Sequence, residues 1–201
     1  MGILFIMHER ADKNTPSQIM GWLYSPYFYF NAKFANKEHS LLDIACGENR
    51  QRAYLDHEWG QVFSSDYNKA PNVDFVCNAL DIKDYLTKVD TVFSFETIEH
   101  LHEKEHLRFV ENLLDISERH VIIGSVNTAG PCRIDGVDIW TGDKNPFHLK
   151  EYSDTEWKTF FDRFASHYEI EYYGVHHYKD DIFVFNNVLK NSISNYVRIS
   201  K

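Results

Sequence analysis

From residue 40 onward, short apolar runs alternate with polar stretches in a regular order. The runs are Leu41 to Ala45, Val62 to Ser65, Val73 to Cys77, Val89 to Phe95 and Val121 to Ser125. Each has the length of a buried strand, and β-branched or aromatic residues recur in them. The polar stretches between them can form helices. Asn49 to Trp59 follows the first run, and Glu103 to Ile116 follows the fourth with Leu107, Val110 and Leu114 at helical spacing. Strand and helix in repetition predict a parallel sheet with helices on both faces.

The two ends of the chain depart from this pattern. Residues 1–39 carry Trp22, Tyr24, Tyr27, Phe28, Tyr29 and Phe30, interrupted by Pro26. Proline breaks a helix interior but suits a first turn, so the pattern predicts two short helices around Pro26. Their rings either cap one edge of the core or line a substrate pocket. The expected organisation is an N-terminal helical and aromatic segment, 1–39, followed by one α/β domain, 40–201. Near the other end, Ser153-Asp154-Thr155-Glu156 is a capping box, and behind it Trp157, Phe160, Phe161 and Phe164 form a core-facing stripe. Tyr168 to Val175 and Ile182 to Leu189 flank Lys179-Asp180-Asp181, which predicts an antiparallel hairpin and one reversed strand near a sheet edge. The connection from Val126 to Lys150 carries Gly130-Pro131, Gly136, Gly142 and Pro146. A connection so long and turn-rich is usually functional.

Composition narrows the classes. A chain of 201 residues suits a single core. Lys plus Arg is 21 against 30 for Asp plus Glu, a net charge of −9 that disfavours a general nucleic-acid binder. No apolar run approaches the roughly 18 residues of a membrane span. Gly2 to Met7 is too short for a secretory segment and lacks a preceding basic stretch. Cys46, Cys77 and Cys132 are an odd number and make no disulfide framework. The expectation is a reduced, cytoplasmic, single-domain protein with no membrane partner.

The chemistry concentrates at the carboxyl ends of the apolar runs. Leu41-Leu42-Asp43-Ile44-Ala45-Cys46-Gly47-Glu48-Asn49 takes a strand through a turn of small residues into a helix. Such a turn lets the backbone approach a ligand, and the helix start offers free N–H groups. It is neither the dinucleotide fingerprint nor a P-loop. Asp66 ends the second run about twenty residues on, where nucleotide-binding α/β folds place an acid on ribose hydroxyls. The third run closes with Cys77-Asn78-Ala79-Leu80-Asp81, and the fourth with Phe95-Glu96-Thr97-Ile98-Glu99-His100-Leu101.

Together these four pieces resemble the class I S-adenosylmethionine-dependent methyltransferases over roughly residues 40 to 190. Asp43 to Gly47 is similar to the family's acid and glycine-rich turn, with Ala45 and Asn49 standing at glycine positions. The resemblance implies S-adenosylmethionine as cofactor. Asp43, Ala45, Cys46 and Gly47 would surround it, Asp66 would hold the ribose, and Tyr67 would lie beside the adenine. Asn78 and Ala79 would meet the adenine amino group, and Phe95 and Glu96 belong to the fourth-strand motif. It also implies a single Rossmann-like three-layer domain with seven strands, mostly parallel, in order 3-2-1-4-5-7-6 and the last antiparallel.

Two histidine patterns remain. His102-Glu103-Lys104-Glu105-His106 matches the zinc-peptidase pattern, but two ligands leave such a site incomplete and eleven histidines make a chance match unremarkable. Glu96, Glu99 and His100, with His148 from the later loop, could hold a divalent metal with positions open for substrate oxygens. This set resembles the metal site of the small-RNA 3′-end 2′-O-methyltransferases. The same Glu-His-Leu and Phe-His pieces also occur in metal-free relatives acting on sugars and other small molecules.

An oxygen acceptor must lose its proton during methyl transfer, and His100 or His148 is the candidate base with Glu99 orienting it. The net charge and the lack of a separate recognition domain favour O-methylation of a small molecule, such as a saccharide hydroxyl. One alternative is metal-dependent 2′-O-methylation of an RNA 3′ end. Another is a non-catalytic cofactor-binding module in a partner complex. The loop 126–150, with Trp140, Phe147 and His148, and the rings of Trp22, Tyr24, Tyr27 and Tyr29 are expected to form the acceptor pocket.

Overall fold

All five apolar runs become strands of one sheet. The computed structural model describes residues 3–5, 17–128, 133–134, 137–138, 147–178, 181–190 and 192–201. In chain order the elements are β1 (Ile3–Phe5), α1 (Ser17–Phe34), β2 (Ser40–Ile44), α2 (Arg52–Glu58), β3 (Gln61–Asp66), β4 (Phe75–Val76), β5 (Val89–Phe95) and α3 (Glu103–Ile116). They continue with β6 (Ser117–Val126), β7 (Arg133–Ile134), β8 (Val137–Asp138), α4 (Asp154–Phe161), β9 (Glu169–Tyr178), β10 (Asp181–Asn186) and β11 (Ser194–Ser200). β7 and β8 pair as a separate two-stranded ribbon.

The main sheet has nine strands in the order β1-β10-β9-β11-β6-β5-β2-β3-β4. β2 to β6 pair in parallel, and β11 runs antiparallel to both its neighbours, β6 and β9. From β4 to β9 the order is 3-2-1-4-5-7-6, as the resemblance implies, with β10 and β1 added beyond it. The expected hairpin forms between β9 and β10. Its second arm is not the reversed strand inside the sheet, however. That place belongs to β11, a strand the apolar pattern does not reveal. Its sequence is Ser-Asn-Tyr-Val-Arg-Ile-Ser, yet every residue of it is buried. Burial of Arg198 and Ser200 is tolerable because both find partners distant in sequence. Arg198 pairs with Glu169 and Glu171 at 3.2 and 3.3 Å, and the Ser200 hydroxyl lies 2.9 Å from the His120 ring.

The N-terminal segment also differs from expectation. α1 is one helix that continues through Pro26. A proline inside a helix costs about 3 kcal/mol in a lost bond and a steric clash. The following turn offsets this by burying Tyr27, Tyr29 and Phe30 against the sheet. The Phe30 ring centroid lies 5.1 Å from that of Tyr173 and 5.5 Å from that of Tyr196. Tyr27 and Tyr29 therefore cap the core, and the pocket role expected of them is not what the structure shows. The side chains of Trp22 and Tyr24, and Trp140, lie outside the described residues.

The helices cover the sheet much as their patterns require. α3 begins and ends where expected and buries Phe109, Val110, Leu113 and Leu114, but Leu107 falls just past the edge of that arc and is 39% exposed. α2 starts at Arg52, later than the polar stretch suggests, because Asn49 has φ of 55° and cannot sit in a right-handed helix. The Ser153 capping box opens α4, and Trp157, Phe160, Phe161 and Phe164 are all buried. Among the described residues no helix is long and apolar enough to cross a membrane.

Candidate functional site

The carboxyl ends of β2, β3, β4 and β5 meet along one rim, and the chain leaves β2 there in an unusual way. Ala45, Gly47 and Asn49 have φ of 56°, 60° and 55°, so alternate residues of the turn are left-handed. For Ala45 that conformation costs about 1–2 kcal/mol, whereas glycine adopts it freely and asparagine more readily than most. The Asn49 amide donates to the Asn72 carbonyl at 2.6 Å and to the Ser64 hydroxyl at 3.0 Å. Around Gly47, nothing lies within 4 Å of the place a Cβ would occupy. The turn thus presents backbone to open space.

Asp66 fastens this turn to β3. One carboxylate oxygen accepts from the Gly47 N–H at 2.9 Å and the other from the Asn68 N–H at 2.8 Å. Each oxygen keeps a lone pair for a ligand. Asp43 has a different place: it is fully buried and accepts from the Tyr27 hydroxyl at 3.0 Å and from the Gln51 amide. Burial pushes its carboxyl up to about 7 against the pull of those two hydrogen bonds. Cys46 is buried as well, and its thiol is pushed up to about 12, chiefly by burial. It is a packed thiol with no character of a nucleophile.

A cavity of about 640 Å³ opens on the rim, within the ~300–1,000 Å³ typical of small-molecule sites. Ala45, Asp66, Tyr67, Asn78 and Ala79 line it on the β2–β4 side, and Glu96 and His100 line it beyond β5. Asp43, Cys46, Gly47, Phe95, Glu99 and His148 are not part of its wall. The wall also includes Ser65, Asn68, Thr97 and Leu149, which sequence reasoning did not select. The first three are direct neighbours of selected residues, and Leu149 follows His148. Tyr67 is 74% exposed at the mouth. The Asn78 side-chain oxygen accepts from the Leu80 N–H at 2.9 Å and keeps its second lone pair, so the residue can both accept from and donate to a ligand.

Beyond β5 the two glutamates are held from opposite sides. Glu96 has φ of 54°, and its carboxylate accepts from the Tyr196 hydroxyl at 3.3 Å and the Ser194 hydroxyl at 3.4 Å. Both partners sit on β11, so the strand hidden from sequence analysis reaches the site. Glu99 is fully buried; Oε2 accepts from Ser125 at 3.0 Å, and its protonated carboxyl is hydrogen-bonded to Glu96. Burial, then the charge on Glu96, holds the Glu99 carboxyl well above the usual carboxylate range.

The imidazoles have defined tautomers. His100 Nδ1 lies 3.0 Å from the Phe147 carbonyl, which can only accept, so Nδ1 carries the proton. His148 Nδ1 likewise meets the Glu151 carboxylate. In their neutral forms both rings therefore present an Nε2 lone pair. The rings lie 4.8 Å apart, nearly perpendicular, and burial lowers the His100 pKa from its ordinary value. Glu99, His100 and His148 each offer one ligand atom, all within 4.8 Å of one another. Three of the four residues expected to hold a metal thus converge, with Glu96 beside them. The His102–His106 pair does not converge: His102 is exposed and His106 is fully buried.

No family model matches this chain, and no curated protein matches it. Solved structures do. The small RNA methyltransferase HEN1 superposes with a TM-score of 0.69 at 16% identity over 97% of this chain, which spans only 27% of the HEN1 chain. The methyltransferase domain of bacterial CtHen1-C gives 0.66 at 15% identity, covering 92% of this chain and 98% of that one. The 1,6-didemethyltoxoflavin-N1-methyltransferase of Burkholderia thailandensis gives 0.58 at 14% identity, covering 96% and 93%.

Proposed function

We propose that this chain, which has the class I methyltransferase fold, is an S-adenosylmethionine-dependent methyltransferase acting on a hydroxyl oxygen of a small, saccharide-type molecule. The observation that carries this reading is one continuous cavity with Asp66 and Asn78 on one side and Glu96 and His100 on the other. The residues fit the cofactor. Asp66 has lone pairs for ribose hydroxyls, the left-handed turn at Ala45 and Gly47 offers close backbone approach, and the exposed Tyr67 ring can cover the adenine. When bound, S-adenosylmethionine supplies an electrophilic methyl group. The chain must then align the acceptor, exclude water and take up a proton. His100 is the histidine on the cavity wall, and His148, whose ring lies 4.8 Å from it, takes up the proton, since the Glu151 carboxylate on Nδ1 fixes its tautomer and stabilises the imidazolium that forms. His100 positions the acceptor hydroxyl, with Glu96 beside it on the cavity wall.

A second reading is favoured by the Glu99, His100 and His148 cluster. Two imidazoles and one carboxyl group suit a divalent transition metal, whose charge would favour the ionised form of Glu99 over the protonated one now hydrogen-bonded to Glu96. On this reading the acceptor is the terminal diol of an RNA, the activity implied by the Glu-x-x-Glu-His resemblance. Exhaustive chelation then abolishes turnover and manganese or cobalt restores it. Full activity in protein shown by elemental analysis to be metal-free removes this reading and leaves the first.

Asp66→Ala is expected to weaken S-adenosylmethionine binding by about 1.5–3 kcal/mol, the scale for losing hydrogen bonds to a charged group. Calorimetry on the variant checks it, and unchanged affinity would remove Asp66 from the cofactor site. Cofactor binding without turnover on any acceptor would instead point to a non-catalytic binding module.

A further inference from the structure

His106 closes the pattern that His102 opens, and its surroundings give it a different task from holding metal. It lies in the first turn of α3, fully buried, with both ring nitrogens engaged. The Leu101 carbonyl can only accept, so Nε2 carries the proton and donates to it at 3.0 Å. Nδ1 is then a lone pair and accepts from the Tyr152 hydroxyl at 2.6 Å. Burial lowers the pKa of the ring from its ordinary value, in keeping with one proton and one lone pair.

The two partners belong to different segments of the site. Leu101 ends the turn Ile98–His100, which presents Glu99 and His100. Tyr152 ends the stretch that carries Phe147, His148 and Glu151. Tyr152 is itself fixed: Thr128 N–H donates to its carbonyl at 3.1 Å, and the Trp157 and Phe160 rings lie 5.7 and 5.6 Å from its own. At the near end, Leu149 and Lys150 N–H donate to the Glu99 carbonyl at 2.7 and 3.2 Å. The His100 ring bonds the Phe147 carbonyl there too. The stretch is therefore tied to the turn at both ends, by backbone at 147–150 and by the His106 ring at 152. His148 and Glu151 lie between these ties.

We propose that His106 is a positioning residue: by bridging Leu101 and Tyr152, its imidazole sets the separation of His148 from Glu99 and His100. The proposal rests on reading those three groups as the reacting site. A flat ring with a donor on one nitrogen and an acceptor on another spans the two partners rigidly. A misplacement of about 1 Å in such a site costs about 10²-fold in rate, and loss of the outer partner of a functional histidine typically costs about 10–100-fold.

Three variants separate this from a purely structural role. Tyr152→Phe keeps the ring and removes one hydrogen bond, His106→Leu removes both, and His106→Gln keeps a donor and an acceptor. Cofactor affinity, melting temperature, kcat and KM for the acceptor, and the imidazole nitrogen–proton spectra of His100 and His148 are measured on each. The expected result is unchanged cofactor affinity in all three, with kcat about 10–100-fold lower in Tyr152→Phe and His106→Leu and mostly recovered in His106→Gln. The His100 and His148 ring resonances shift or broaden in Tyr152→Phe and return in His106→Gln. Lower melting temperatures with wild-type kcat and unmoved resonances overturn the proposal. If His106→Leu does not fold, Tyr152→Phe decides alone. If the wild-type protein turns over no acceptor, the functional reading fails, while unmoved resonances in Tyr152→Phe still overturn the positioning role by themselves.

Discussion

Alanine at His148 is expected to lower the rate of methyl transfer by about 10²–10⁴-fold, the usual contribution of a general base, without changing the affinity for S-adenosylmethionine. The side of the cavity proposed to take the cofactor is lined by Ala45, Asp66, Tyr67, Asn78 and Ala79, none of which the substitution touches. What it removes is the imidazole that converges with Glu99 and His100, together with its hydrogen bond to Glu151. Loss should therefore fall on kcat more than on KM. Both readings of the site, base or metal ligand, require the loss, and the chelation experiment separates them. Wild-type turnover by a folded His148→Ala protein would eliminate both.

The second large effect is on stability. Asp43 has an ordinary carboxyl value of 3.8 and stands at about 7 in the fold, raised by burial. Between those values the folded protein holds a proton that the unfolded chain has released. The stabilisation is fully present below pH 3.8 and is lost progressively as pH rises to about 7, after which it is level. At about 1.4 kcal/mol per unit the loss amounts to roughly 4 kcal/mol. Other groups titrate in the same range. Burial also raises Glu96 and Glu99, which act in the same sense, whereas His120, lowered to about 4 mainly by burial, acts in the opposite one. The comparison with Asp43→Asn isolates the one carboxyl. Relative to the variant, the wild-type protein should lose melting temperature steadily from pH 4 to pH 7. A difference that stays flat across that window would show that Asp43 is already ionised in the fold. Gln51 links this network to the left-handed turn after β2, since its amide also lies 3.4 Å from the Cys46 carbonyl.

Much of the site was legible because its signals are local. Left-handed turns are written as glycine and asparagine, and Gly47 and Asn49 stand at two of the three such positions after β2. A carboxylate at the end of β3, two residues short of Asn68, already describes an acid that can cap a turn and face a ligand. Glu99, His100 and His148 were also named from sequence, although 48 positions separate His148 from His100 along the chain. Their tautomers were not legible, because each depends on which acceptor, the Phe147 carbonyl or the Glu151 carboxylate, the fold places against Nδ1. The supports of Glu96 were missed with β11, since Ser194 and Tyr196 lie on a strand with no apolar alternation to mark it.

By itself, then, the sequence determined the strands β2 to β6, the helix α3, the capping box at Ser153, and the acids and histidines gathered at the strand ends. Hydrophobic period and turn chemistry depend on neighbours within a few residues, and those are in plain view along the chain. Tertiary structure alone decided that α1 would pass through Pro26, that β11 would lie between β6 and β9, that Tyr27 would face Asp43 instead of a pocket, and that His106 would bond Tyr152. In each case a local penalty, a broken helix bond or a buried polar group, is offset by a partner remote in sequence, and only the folded chain brings the two together.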